Sequence, residues 1–171
     1  MQRLERLDFN RYPSLHAEDV RESLSRYLGW PMEGLVLSPG SNLLIQALAQ
    51  AAGRVLDTAP SFPHYALSAT IAATPYQAIP LGSDFGLPIA SLLEAMEAEP
   101  GVLFLPNPHA PTARLFAEAD IRLLADKAAQ TGWLLVIDEA YHQFSGTDYA
   151  RLVRANLQVA ILRNLYKAWG V

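Results

Sequence analysis

The stretch LLVIDEAY at residues 134–141, read together with VAILRNLYKAWG at 159–170, decides the fold. Its first four residues are apolar, and with Trp133 ahead of them they predict a strand over residues 133–137. That strand runs into an acidic step, Asp138-Glu139, with the phenol of Tyr141 just behind it. The second apolar run predicts a strand over 159–163, and the segment after it delivers Lys167. An acid at a strand end, a phenol and an amine are a candidate chemical set. Each also has a plain structural reading. An Asp-Glu pair after a buried strand is commonly a solvated loop or a helix cap, and a lysine before Ala-Trp-Gly is commonly a surface residue.

Outward from this stretch the same alternation continues. Helical periods over 17–28, 41–52, 62–73, 89–98 and 117–130 alternate with short extended runs over 35–37, 55–58, 76–80 and 102–105. A short helix is expected over 149–155. Gly29, Gly53 and Gly132 stand at helix ends, and the prolines fall between elements, where they punctuate without forming a linker. This pattern predicts an α/β fold, a three-layer sandwich with a mainly parallel sheet, in one domain over residues 1–171. No internal repeat or low-complexity tract interrupts it.

Composition narrows the function classes. A chain of 171 residues with 51% hydrophobic and 18% charged residues can bury a core and is globular. The net charge of −4 leaves no basic surplus for nucleic acid. Cysteine is absent, which excludes disulfides and thiolate metal sites and fits a reducing compartment. The four histidines have no zinc-ligand spacing, so no metal site is expected. The first ten residues are charged and carry no apolar signal core, and no run is long enough to span a bilayer. A cytoplasmic protein without membrane or nucleic-acid partners is the expectation.

Three further loops follow strands or open helices. SPGSN at 38–42 offers Gly40 for close backbone approach, Ser41 and Asn42 as side-chain donors, and the free amides of a helix start, a set suited to a phosphate. The plain alternative makes Ser41 a helix N-cap. PSFPHY at 60–65 places Phe62 to offer a ring face, or else to fill the core at a helix start, with Tyr65 as its supporting or packing neighbour. PNPHAPTA at 106–113 follows the run VLFL. Near the start, NRYP at 10–13 presents Tyr12 before a proline.

Together these motifs resemble fold-type I aminotransferases that use pyridoxal 5'-phosphate (PLP), above all the histidinol-phosphate aminotransferase branch. The resemblance runs from Asn10 onward and implies the cofactor-binding large domain. It implies Lys167 as the Schiff-base lysine and proton carrier, Asp138 on the pyridine nitrogen, Tyr141 on the ring oxygen and Phe62 stacked on the ring. Gly40, Ser41 and Asn42 then grip the phosphate, and Tyr12 reaches the phosphate of the other subunit in a homodimer. The small-molecule partners implied are an amino donor and a 2-oxo acid acceptor.

The chain also departs from that pattern. Ala110 stands where the family has an asparagine that donates to the ring oxygen, Ala113 where it has glycine, and Tyr166 where it has a small serine. His109 is expected as a solvated loop residue, with a reach toward the ring oxygen as the alternative. The family's phosphate-binding arginine and its small C-terminal domain are expected to lie beyond Val171. Two other readings stay open: a PLP-dependent threonine-phosphate decarboxylase, and a non-catalytic truncated remnant that folds and oligomerises.

Overall fold

In a computed structural model, the described residues are 14–155 and 158–169; Tyr12 lies outside them. The chain divides into two compact units, residues 1–39 and 40–171.

In the first unit, helix α1 (Glu18–Leu28) carries Glu18 and Asp19 in its first turn and Arg26 in its last, matching the helix dipole at both ends. Gly29 ends it at φ 58°, a left-handed conformation that glycine adopts without a Cβ clash. A 3₁₀ turn, Met32–Gly34, follows. The strand expected over residues 35–37 does not form. Leu35 is extended, at φ −109° and ψ 124°, but the segment joins no ladder, and Val36 is 74% exposed. Extended backbone becomes a strand only when a neighbour takes its hydrogen bonds.

The second unit is built on five strands: β1 (Val55–Ala59), β2 (Tyr76–Pro80), β3 (Val102–Pro106), β4 (Leu134–Asp138) and β5 (Val159–Leu162). Their spatial order is β2-β1-β3-β4-β5, and every pairing is parallel. Between them run α2 (Ser41–Ala51), α3 (His64–Ile71), α4 (Ile89–Ala95), α5 (Glu118–Thr131) and α6 (Ala150–Arg154), and α7 (Tyr166–Trp169) follows β5. Helix α3 starts two residues later than the sequence suggests. Phe62 stays outside the helix and Pro63 takes the N-cap position, in keeping with the bias of a proline against helical backbone at the residue before it.

The sheet is buried on both faces, as the continuous apolar runs of β3 and β4 require. Side chains alternate along each strand. Leu103, Leu105, Leu135 and Ile137 enter one core with Leu92 of α4 and with Ile121 and Leu124 of α5. Val102, Phe104 and Val136 enter the other with Ile45 of α2 and Tyr65 of α3. The result is the three-layer α/β sandwich with a parallel sheet that the sequence predicts. Leu103 has no exposed surface, so its truncation to alanine would cost about 2–5 kcal/mol. Among the described residues no helix is long and apolar enough to cross a membrane.

Candidate active site

The chain leaves β1 for β2 on one side and returns to place β3 on the other, so the strand order reverses between β1 and β3. In open α/β sheets ligands bind beyond the carboxyl ends of the strands at such a reversal. A cleft open to solvent lies there. Phe62 reaches it from the loop after β1, Pro106 from the end of β3, Asp138 from the end of β4 and Asn164 from beyond β5.

Asp138 is the buried acid of this cleft. Its Oδ2 accepts the Tyr65 hydroxyl at 2.6 Å, and its Oδ1 accepts the Ala140 N–H at 3.0 Å. Burial holds the carboxyl above its usual range, while the Tyr65 hydrogen bond, the Ala140 amide and the charge of Lys167 pull it back. Tyr65 has no exposed surface; it stacks on Phe104 at 4.8 Å and meets Phe62 edge-on at 5.5 Å. Burial, reinforced by Asp138, pushes the Tyr65 phenol well above its ordinary value, so it stays a donor.

Opposite the acid, Lys167 Nζ donates to the Tyr141 hydroxyl oxygen at 3.1 Å. That hydrogen bond is the main cause holding the exposed ammonium above the ordinary lysine range. The backbone N–H of Lys167 donates to Asn164 Oδ1 at 3.3 Å, which pins the start of α7. Asn164 is only 7% exposed, and its Nδ2 is buried without a partner. A buried donor left unpaired at a cleft calls for an acceptor from outside the chain.

At the head of α2, Gly40 adopts φ 87° and occupies the cap position, so Ser41 lies in the first turn and is not the N-cap. Ser41 lines the cleft, whereas its neighbours Gly40 and Asn42 do not. Asn42 is exposed at the helix surface. Of the candidate residues, the structure therefore brings Ser41, Phe62, Asp138, Tyr141 and Lys167 together. Ala110 lines the same cleft without a donor, and Tyr166 flanks it.

His109 differs from the sequence expectation, and Glu139 from its plain structural reading. His109 is not solvated: it is 1% exposed, with Nδ1 2.8 Å from Thr112 Oγ1, Nε2 3.4 Å from Thr58 Oγ1, and its ring against Phe116. It fastens the 107–113 loop to β1, and its burial lowers its pKa. Glu139 is neither a solvated loop acid nor a helix cap. It has no exposed surface; its Oε2 accepts Arg163 Nε at 2.7 Å, and its Oε1 accepts the Tyr149 N–H at 3.0 Å. Removing one partner of such a pair typically costs about 3–5 kcal/mol. The role of Asn164 was not read from sequence, although an asparagine three residues before a helical lysine carries a capping signal. Among the described residues no group of three or more His, Asp or Glu side chains could hold a metal ion.

Comparison with known proteins gives the family and the fold. The model of the family "Aminotransferase class I and II" matches residues 1–171. The histidinol-phosphate aminotransferase of Deinococcus radiodurans is 44% identical over 167 residues, which cover 95% of this chain and 46% of that protein. The crystal structure of the histidinol-phosphate aminotransferase from Clostridium acetobutylicum superposes with a TM-score of 0.83 at 19% identity, over 94% of this chain and 48% of the other. The L-threonine-O-3-phosphate decarboxylase from Porphyromonas gingivalis gives 0.79 at 19% identity, over 98% and 50%. These two superpositions speak for the fold alone. The chain spans about half the length of the curated relatives it matches.

Proposed function

This chain belongs to the class I and II aminotransferases, and we propose that it carries the PLP-binding machinery of an enzyme that moves an amino group between an amino acid or amino-phosphate and a 2-oxo acid. The observation that carries the proposal is the pairing of Lys167 Nζ with the Tyr141 oxygen at 3.1 Å, in the cleft that also holds the buried Asp138. Histidinol phosphate, named in the Deinococcus radiodurans relative, is the proposed amino donor. The proposed setting is a cytoplasmic homo-oligomer.

The residues present fit PLP. A carboxylate in the cleft suits a pyridinium nitrogen, a phenol suits the ring oxygen, and the orphaned Asn164 Nδ2 needs an acceptor. Asp138 would hold the ring nitrogen, Tyr141 the ring oxygen, and Phe62 one ring face. Ser41 and the first-turn amides of α2 would take the phosphate. Bound PLP supplies an electron sink for the bond-breaking step at the substrate's Cα. Lys167 Nζ would attach the cofactor, give up that bond to the substrate's amine, and as the freed amine take the proton from Cα and deliver it again as general acid. Tyr65 keeps Asp138 oriented through this by occupying its Oδ2.

The chain has only two lysines, Lys127 and Lys167, which makes the test clean. Lys127 pairs with Glu97, and its side chain is 16% exposed. Incubation with PLP followed by borohydride should place the label on the Lys167 peptide. Equal or greater labelling of Lys127 would sink the assignment.

A further inference from the structure

Lys167 Nζ stands 5.0 Å from the centroid of the Tyr141 ring and 5.3 Å from that of the Tyr166 ring. The first distance follows from the hydrogen bond to the Tyr141 hydroxyl, whereas the second falls within the ~6 Å over which a ring face attracts a cation. The Tyr166 contact is unusual for its spacing, since adjacent residues on a helix do not face each other. The lysine must fold its flexible stem back toward its neighbour's ring to make it. Tyr166 lies at the edge of the cleft and is 46% exposed.

We infer that Tyr166 is a positioning residue, whose ring joins the Tyr141 hydroxyl in holding the Lys167 ammonium at the cleft, charged and directed at the Tyr141 oxygen. The inference rests on the reading of Lys167 as the reactive amine and adds a device that controls it. A ring face attracts the ammonium and not the neutral amine, so the Tyr166 ring favours the charged form. The other groups acting on Nζ are the Tyr141 hydroxyl and the Asp138 carboxyl, and both act in the same direction; burial opposes them. The amine is thus restrained from adding to small neutral aldehydes that bring no other contact to the cleft.

Reductive methylation by formaldehyde and cyanoborohydride tests this without PLP. Peptide mapping gives the methylation rate of Lys167 relative to Lys127, an internal standard in the same molecule. At neutral pH, Tyr166→Leu should raise that ratio about two- to fivefold, the effect of one lost cation–π contact. Tyr166→Phe keeps the ring face and should stay at the wild-type ratio. The Leu excess should vanish at alkaline pH, where the amine is neutral in both proteins.

An unchanged ratio in the Leu variant would overturn the inference. So would a Phe variant that behaves like Leu, since the effect would then belong to the hydroxyl. An excess that persists at alkaline pH would overturn it as well, since it would report easier access alone. PLP labelling at Lys127 would sink the proposed function and leave this ratio to decide the ring contact separately.

Discussion

The Tyr65 hydroxyl donates to Asp138 Oδ2 at 2.6 Å, and both side chains are withdrawn from solvent. The donor sits on α3 and the acceptor at the end of β4, so one hydrogen bond ties a helix of one layer to the acid in the cleft. Tyr65→Phe keeps the stacking on Phe104 and removes only the donor. Burial already raises the Asp138 pKa, and losing Tyr65 removes an opposing influence, so the carboxyl becomes harder to ionise. Loss of a hydrogen bond to a charged group costs about 1.5–3 kcal/mol, so PLP should bind roughly ten- to a hundredfold more weakly. A spectrophotometric PLP titration measures this; unchanged affinity would mean that Asp138 needs no support from Tyr65.

Asp57 is another buried carboxyl, on β1, with Thr58 N–H at 2.7 Å, Tyr76 hydroxyl at 3.2 Å and 1% exposure. Burial pushes its pKa from 3.8 up to about 7 against those hydrogen bonds. The folded state therefore holds this proton more tightly than the unfolded chain. The resulting stability is full below about pH 4 and is lost as pH rises toward 7. Asp57→Asn has no such proton to lose. The stability difference between variant and wild type should grow in the variant's favour from pH 4 to pH 8, by at most about 4 kcal/mol. Denaturant unfolding at several pH values checks the slope; parallel profiles would refute it.

Ala110 lines the cleft at the position where the family resemblance implies an asparagine donor. Ala110→Asn should tighten PLP binding by about tenfold or more through a new hydrogen bond to the ring oxygen. It should also shift the pH titration of the bound cofactor's absorbance toward acid. If the titration does not move, the loop at 107–113 approaches another part of the ligand.

Ala113 in the same loop adopts φ 56°, a left-handed conformation that costs a residue with a Cβ about 1–2 kcal/mol. Ala113→Gly relieves that strain at some cost in unfolded-state entropy. A net gain of up to about 1 kcal/mol in thermal or urea unfolding is expected. Destabilisation would show that the alanine methyl contributes packing.

The sequence by itself determined the layers and the places where chemistry could sit. Apolar runs such as those of β3 and β4 are local signals, and a five-residue run in a parallel sheet leaves its last polar residue at the strand's carboxyl end. That is why Asp138 could be read from its neighbours alone. Partnerships across long stretches of chain were decided only by the tertiary structure. Tyr65 finds Asp138, Arg163 finds Glu139 and Thr58 finds His109 because parallel strands bring their carboxyl ends together, a proximity that no local pattern encodes. The same reason explains residues 35–37. Their composition favours extended backbone, but a strand needs a ladder partner, and only the assembled sheet assigns those.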